Sequence, residues 1–172
     1  SGDETEDWVN ATSPMYRSVE LVSNADTSST FLYNGWAASH SNQGSFEIAN
    51  NSLCPSYFHV STEGDWATLT QFLGDSAGSK LKSAGEEYWS PPNVADNSSG
   101  FTALPYGQIS PVTGLTEYAN DYSFYWALGN AVSDLNPSYF ISYAGTQVES
   151  SNYSNRRGQQ VRCVRDAAHF GC

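Results

Sequence analysis

The chain has 172 residues and a formal net charge of −11, because Asp and Glu outnumber Lys and Arg by 18 to 7. This length fits one domain with a substantial buried core, and the acidic balance excludes nucleic acid as a partner because phosphate binding needs a basic surface. Aromatic residues supply 14% of the chain and charged residues only 15%, which is typical of extracellular, β-rich recognition domains and argues against a cytosolic enzyme.

The N-terminal region divides into an arm and the start of the domain. Residues 1–13 are acidic and rich in Ser and Thr, which predicts a flexible arm anchored by Trp8, followed by one domain over 14–172. Alternating apolar residues predict strands at 15–22 and 31–33. The segment 39–51 has a loop-like composition, with a short strand expected at 45–48.

The strongest helix signal covers Glu63–Leu73. Thr62 and Asp65 match a capping box, and Gly74 is placed to end the helix. A single apolar face is expected from Trp66, Leu69, Phe72 and Leu73. A second short helix is predicted at 77–83.

The second half of the chain has short strand patterns separated by turn residues. The predicted strands are 101–103, 122–128, 138–143, 146–149 and 160–165. Helices in the first half and strands in the second predict an α+β fold.

Several motifs, spread over most of the chain, carry a family resemblance. They are Leu53-Cys54-Pro55, Phe58-His59-Val60, the helix around Trp66, Lys80-Leu81-Lys82-Ser83, the run from Gly100 to Gly107, and the run from Val161 to Asp166. In order and spacing they resemble the Fibrobacter succinogenes major paralogous domain, from near Leu32 to Asp166. That family implies a secreted or cell-surface module with a C-type-lectin-like or formylglycine-generating-enzyme-like fold.

The expected pairing of the cysteines follows from the same resemblance. Three cysteines allow three single pairings. Cys54 and Cys163 belong to the resembling motifs and Cys172 does not, so the resemblance implies a Cys54–Cys163 disulfide. Three reduced cysteines, or a Cys163–Cys172 pair, are the alternatives, and an exported location favours a disulfide.

No cluster with an evident catalytic or metal-binding pattern occurs in the sequence. The formylglycine-generating relatives use a close cysteine pair with copper, whereas Cys163 and Cys172 lack that setting. His40, His59 and His169 stand in unrelated contexts, and His59 is expected to be a hydrogen-bonded structural residue. Motifs for calcium-dependent sugar binding and spacings for zinc are absent. We therefore expect no enzyme, no cofactor and no metal, with a structural ion left open.

The candidate binding surface lies in the Tyr- and Asn-rich segment 118–155, where rings supply contact area and amides adapt their hydrogen bonds. Its predicted ligand-binding residues are Tyr122, Asn130, Asp134, Asn136, Tyr143, Asn152, Tyr153, Asn155 and Arg156. The alternative is that Tyr122, Phe124, Trp126, Phe140 and Ile141 only form core strands. Alternation along a strand allows both, because one face can pack while the other binds.

These observations predict a non-catalytic, extracellular or cell-surface module that binds a protein or glycan ligand. No apolar run is long enough to span a bilayer, so direct membrane insertion is not expected. No export signal is expected within these residues. Three further hypotheses remain. The Asn, Tyr, Ser and Asp content of the same segment resembles proteins diversified by diversity-generating retroelements. The others are an enzyme of the formylglycine-generating type and a structural module of a surface filament that polymerises through exposed strands.

Overall fold

A computed structural model describes residues 3–23, 26–40, 53–129 and 134–166. Four helices and ten strands lie within these residues. The helices are α1 (Asp3–Val9), α2 (Gly35–His40), α3 (Glu63–Leu73) and α4 (Ala77–Leu81). The strands are β1 (Tyr16–Val22), β2 (Thr27–Asn34), β3 (Phe58–Val60), β4 (Gln108–Ile109), β5 (Thr116–Glu117), β6 (Tyr122–Trp126), β7 (Leu135–Ser142), β8 (Glu149–Ser154), β9 (Gly158–Gln159) and β10 (Cys163–Arg165). The predicted α+β class is confirmed.

The strands form three antiparallel sheets. One sheet has five strands in the order β1-β2-β9-β4-β5, a second has three in the order β6-β7-β8, and β10 pairs with β3 in the third. Single parallel bridges join these sheets, among them Tyr125 to Gln160 and Thr62 to Leu128. The edge of β6 that does not pair with β7 is therefore joined to Gln160, next to β9, and the residues after β6 are joined to the start of α3.

Two apolar clusters form the core. The first lies between α3, α4 and the three-stranded sheet and includes Trp66, Leu81, Trp89 and Ile141. The second lies between α1 and the five-stranded sheet. Its buried members are Trp8, Val19, Leu21, Leu32, Tyr106 and Ile109. No helix in the described part of the chain is long and apolar enough to cross a membrane.

The N-terminal residues differ from the predicted loose arm. Asp3–Val9 forms helix α1, and the Trp8 side chain is buried in the second cluster. The Trp8 indole also donates a hydrogen bond of 2.8 Å to the carbonyl of Arg156. The expected anchor at Trp8 is therefore present, but its burial against distant residues orders the helix around it.

Helix α3 has the predicted bounds and the predicted capping box. The Thr62 hydroxyl accepts from the backbone N–H of Asp65, and the Asp65 carboxylate accepts from the backbone N–H of Thr62. The expected apolar face holds for Trp66, Leu69 and Leu73, but Phe72 is 86% exposed. At about 100° per residue, Phe72 lies about 120° around the helix from Trp66 and so leaves the face that packs on the core.

Other element predictions were partly wrong, each for a local reason. Helix α2 was missed, although Asn34 caps it by accepting from the backbone N–H of Ala37. The strand predicted at 101–103 is replaced by a single bridge at Ala103, because Thr102 has a φ of +56°. The strand predicted at 160–165 is confined to β10. The strand predicted at 45–48 lies outside the described residues.

The Cys54–Cys163 disulfide is present, with the two Cα atoms 5.6 Å apart. It joins the segment before β3 to β10. Near this sheet, His59 Nδ1 lies 2.6 Å from Asp166 Oδ1, and its Nε2 lies 3.0 Å from Asp65 Oδ2. Hydrogen bonds to Asp166 and then to Asp65 raise the pKa of His59. The His59 ring thus connects β3 to the first turn of α3 and to the end of β10.

A buried lysine fixes the connection between β7 and β8. The Lys82 ammonium donates to the backbone carbonyls of Ser142, Tyr143 and Gly145 at 2.6–3.1 Å. It also lies 5.3 Å from the centre of the Trp89 ring. Burial lowers the pKa of Lys82 to about 8, so the side chain remains largely protonated at neutral pH. The three carbonyls and the face of the Trp89 ring stabilise the charge of the ammonium group.

Candidate ligand-binding face

Side chains of the three-stranded sheet point alternately to its two sides. On one side, which we call the inner side, Tyr125 and Tyr139 contact the ring of Trp66 on α3. The Tyr139 and Trp66 rings are stacked with their centres 5.1 Å apart. Ile141 is fully buried in the same cluster. The inner side is therefore a packed core surface.

The opposite side carries a second group of rings, which we call the aromatic face. Its members are Tyr118, Tyr122, Phe124, Phe140 and Tyr153. Phe124 lies at the centre, 3% exposed, with the ring centres of Tyr122 and Phe140 each 5.5 Å away. The Tyr153 ring forms T-shaped contacts with those of Phe124 and Phe140. Tyr122, Phe140 and Tyr153 remain half-buried, so their rings are partly open to solvent.

The turn after β5 extends this face. Tyr118 is 51% exposed, and its ring centre lies 5.6 Å from that of Tyr122. Its backbone has a φ of +62°, a conformation that non-glycine residues seldom adopt. The turn thus directs a large ring beside the sheet, where it adds contact area that the core does not use.

A charged pair borders the aromatic face. Arg157 Nη1 donates to Glu117 Oε1 at 2.8 Å, and the Arg157 guanidinium lies 5.0 Å from the centre of the Tyr153 ring. Gln108 donates to the same Glu117 oxygen at 2.9 Å. Burial raises the pKa of Tyr153, which Arg157 opposes only in part. The Tyr153 hydroxyl therefore stays neutral at physiological pH and can both donate and accept hydrogen bonds.

Five of the predicted binding residues lie at or near the surface. Tyr122 and Tyr153 belong to the aromatic face, and Arg156 is exposed next to Arg157. Asn152 is exposed on β8 but points to the other side of the sheet from Tyr153. Asp134 is exposed before β7. The structure thus brings together two of these residues in one cluster and leaves the others beside it.

Asn136 and Asn155 lie in the interior rather than on the predicted surface. They are 4% and 6% exposed. The Asn136 amide donates to the side-chain oxygen of Asn155 at 2.7 Å and to the carbonyl of Gly35 at 3.1 Å. The Gly35 backbone N–H in turn donates to the carbonyl of Asn155. These amides hold α2 against the sheet, because buried polar groups are paired when partners are available.

Tyr143 also differs from the prediction. Its ring packs against the inner cluster, and its backbone carbonyl accepts from Lys82. Asn130 lies outside the described residues. The binding role of both residues stays a prediction, but Tyr143 is not part of the aromatic face.

Four members of this surface and its border were not among the predicted ligand-binding residues, although Tyr118 and Phe140 lie inside the predicted segment 118–155. They are Glu117, Tyr118, Phe140 and Arg157. Phe140 was assigned only to the core, although pairing with Phe124 in the β6–β7 register places both rings on one side. Alternation along β6 indicates that Tyr122 and Phe124 share one side of the sheet. The residues of β7 that lie opposite them depend on the register of the two strands, which the sequence does not reveal.

A partly exposed ring cluster with flanking hydroxyls and a charged pair can bind a ligand without catalysing a reaction. Aromatic rings bury large areas with few torsions to fix, and the phenols of Tyr118, Tyr122 and Tyr153 supply hydrogen bonds. Among the described residues, no three His, Cys, Asp or Glu side chains are grouped to hold a metal ion.

The fold and this surface define a disulfide-closed α+β domain with one sheet face lined by rings. The Fibrobacter succinogenes major domain model matches residues 2–165, and the chain belongs to that family. The match begins earlier than the resemblance near Leu32 indicated, so it includes α1. Comparisons with curated proteins and with solved structures return no match.

Proposed function

We propose that this chain is a non-catalytic recognition module that binds a glycan or a protein ligand through the aromatic face. The observation that carries this proposal is the partly exposed cluster of rings on the side of the sheet that α3 does not cover. A partly exposed ring cluster of this kind is costly to leave in water unless a partner covers it, and such patches mark interaction sites.

The charged pair at the border of the aromatic face favours a ligand that has both polar groups and an apolar surface. The sugar ring of a glycan has such a surface, and so does a protein side chain next to its backbone amides. Glu117 and Arg157 are fixed by their mutual ion pair, so they can orient a ligand with little further loss of side-chain entropy.

An extracellular or cell-surface location fits this function. The Cys54–Cys163 disulfide is a bond that persists in oxidising compartments and is rare in the cytosol. The same bond engages Cys163, which supports a binding role over the thiol oxidation carried out by formylglycine-generating enzymes. A C-type-lectin-like architecture is part of this proposal, because its long loops and short strands would present such a face.

Printed glycan and protein arrays probed with the labelled chain test this function. For the ligand so identified, Tyr122→Ala and Tyr153→Ala should each weaken binding by at least about tenfold, as removal of a central interface ring does. The matched control is Tyr16→Ala, which removes a 53% exposed ring from β1, outside the aromatic face. Unchanged affinity in both face variants, with circular dichroism showing native folding, would contradict the proposal.

A second candidate is a ligand-binding surface whose residues vary between copies of the gene. The observation that favours it is β8, where Ser150, Ser151 and Asn152 are exposed and so open to replacement. Adenine-directed mutagenesis by a retroelement yields this kind of residue. Sequencing of the neighbouring DNA tests it: a reverse transcriptase gene and a near-copy of the last coding segment would support it, and their absence would refute it.

A further inference from the structure

An open cavity lies on the inner side of the three-stranded sheet, away from the aromatic face. It is a cleft of about 390 Å³ between α3 and β10. Trp66 contributes to its wall, Leu69 and Phe72 line it from α3, and Phe101, Arg162 and Val164 also line it. This volume lies within the range of about 300–1,000 Å³ that is usual for small-molecule sites. The three-stranded sheet separates this cleft from the aromatic face, because Trp66 packs on the Tyr125 and Tyr139 side.

The rim of the cleft carries an aromatic ring that the core does not use. Phe72 is 86% exposed because it lies off the packing face of α3. Leu69, one turn earlier on the same helix, is half-buried and lines the same cleft. A flat apolar ligand would therefore cover Phe72 and Leu69 together and remove their surface from water.

The opposite wall contains a cation with unused hydrogen-bonding capacity. The Arg162 guanidinium lies 3.9 Å from the centre of the Phe101 ring, and its Nη2 donates to the Phe101 carbonyl. Arg162 Nε is buried and has no hydrogen-bond partner within the part of the chain that the structure describes. A planar guanidinium held on one ring can stack a second ring and pair with an anion.

Asp65, the one carboxylate among the described residues that line the cleft, does not compete for this arginine. Asp65 Oδ2 accepts from the backbone N–H of Thr62 at 2.8 Å, from the Thr62 hydroxyl at 2.6 Å and from His59 at 3.0 Å. Its charge is therefore already compensated. Arg162 is left as the group that would select the polar end of a ligand in an otherwise apolar cleft.

We propose that this cleft binds a small aromatic anion whose ring packs between Phe72 and the Phe101–Arg162 pair and whose acid group pairs with Arg162. The site is independent of the aromatic face and of its glycan or protein ligand. Binding requires no covalent step.

A fluorescence titration with two dyes of the same ring system tests the proposal. The first is 8-anilinonaphthalene-1-sulfonate, an aromatic anion, and the second is N-phenyl-1-naphthylamine, which has the same rings without the sulfonate. The natural chain should bind the sulfonate saturably at one site and at least about tenfold more tightly than the neutral dye, because only the sulfonate pairs with Arg162. Absence of saturable binding, or equal affinity for both dyes, would overturn the proposal.

Variants then locate the site. Phe72→Ala removes the rim ring and Thr68→Trp places a bulky ring at the exposed edge of the cleft, and each should weaken sulfonate binding by at least about tenfold. Arg162→Gln should reduce the preference for the sulfonate to less than about twofold. Phe72 and Thr68 are exposed, so these two variants decide the outcome even where Arg162→Gln fails to fold.

Matched controls separate this cleft from other apolar surface. Phe31→Ala removes a 47% exposed ring from β2, and Arg165→Gln removes an exposed arginine from the same strand as Val164. Both should leave sulfonate affinity within about twofold of the natural chain. Loss of sulfonate binding in Tyr122→Ala, with Phe72→Ala unaffected, would place the dye on the aromatic face and overturn this proposal. The function proposed for the aromatic face would not be contradicted by that result.

Discussion

The two sides of the three-stranded sheet have similar aromatic content but opposite roles. The inner side presents Tyr125 and Tyr139 to Trp66 of α3, whereas the aromatic face presents Tyr122, Phe140 and Tyr153 to solvent. The strands themselves are equivalent in this respect, since alternation supplies rings to both sides. What distinguishes the two sides is how they are covered: α3 packs on the inner side at Trp66, whereas on the other side α2 packs at Asn136 and leaves Tyr122, Phe140 and Tyr153 half-buried. Substitutions on the inner side should therefore change stability, and those on the aromatic face should change binding.

Removal of the disulfide should cause the largest loss of stability. The bond spans 109 positions, and closing so long a loop is worth on the order of 4–5 kcal/mol in the chain-entropy treatment. The double variant Cys54→Ser, Cys163→Ser should lose about that much free energy of unfolding, measured by urea titration. An unchanged urea midpoint would show that the bond does not constrain the unfolded chain.

The next largest effect should come from the ring at the centre of the inner side. Trp66→Ala should cost about 3–5 kcal/mol, because a buried Trp is replaced by a cavity. The control on the other side, Tyr122→Ala, should cost less than about 1 kcal/mol because its ring is already partly in water. Similar losses in both variants, again by urea titration, would mean that the aromatic face is also core.

A smaller loss is expected at the buried lysine. Lys82→Met keeps the length of the side chain but leaves three partly buried carbonyls without their donor, which should cost about 2–3 kcal/mol. Lys80→Met is the control, because Lys80 donates to the single carbonyl of Leu73. Hydrogen exchange should accelerate in the β7–β8 connection of the Lys82 variant alone. Equal protection in both variants would show that Lys82 does not hold this connection.

The smallest effect should be a pH dependence that arises from His59. Its folded pKa is raised above the ordinary value by Asp166 and Asp65, so the folded state binds the proton more tightly than the unfolded state. The resulting stabilisation is fully present below the ordinary His pKa of about 6.5 and is lost as pH rises through the raised folded pKa. The urea midpoint of the natural chain should fall across that range.

His59→Gln supplies the comparison for this pH dependence. The variant should be less stable than the natural chain at low pH, and the difference should shrink as pH rises. A difference that stays constant with pH would mean that His59 contributes by packing and not through its charge.

The sequence predicted the parts of the fold that depend on local signals. The capping box at Thr62 and Asp65 and the terminating Gly74 involve neighbours along the chain, so the bounds of α3 followed directly. The cysteine pair followed from its place in the family motifs. Strand β6 was recognised because four of its five residues are aromatic, and aromatic residues favour strands.

Features that depend on distant partners were not predicted. Asn136 was expected at the surface because amides usually lie there, but its partner Gly35 is 101 positions away in the chain. Strand β8 was placed too early, since Ser150, Ser151 and Asn152 have little preference for strands and only pairing with β7 makes them one. Phe140 could be assigned to one side of the sheet only once the pairing register of β6 and β7 was known.

Strand β8 has a consequence for protein engineering. It is held by backbone pairing with β7, while Ser150, Ser151 and Asn152 contribute little to the interior. Combinatorial libraries at these positions should therefore retain a folded scaffold, because the main chain supplies the attachment. Ser151 lies on the side of Tyr153, so variation there would extend the aromatic face, whereas variation at Ser150 and Asn152 would create a new contact surface on the other side of the same cross-linked frame.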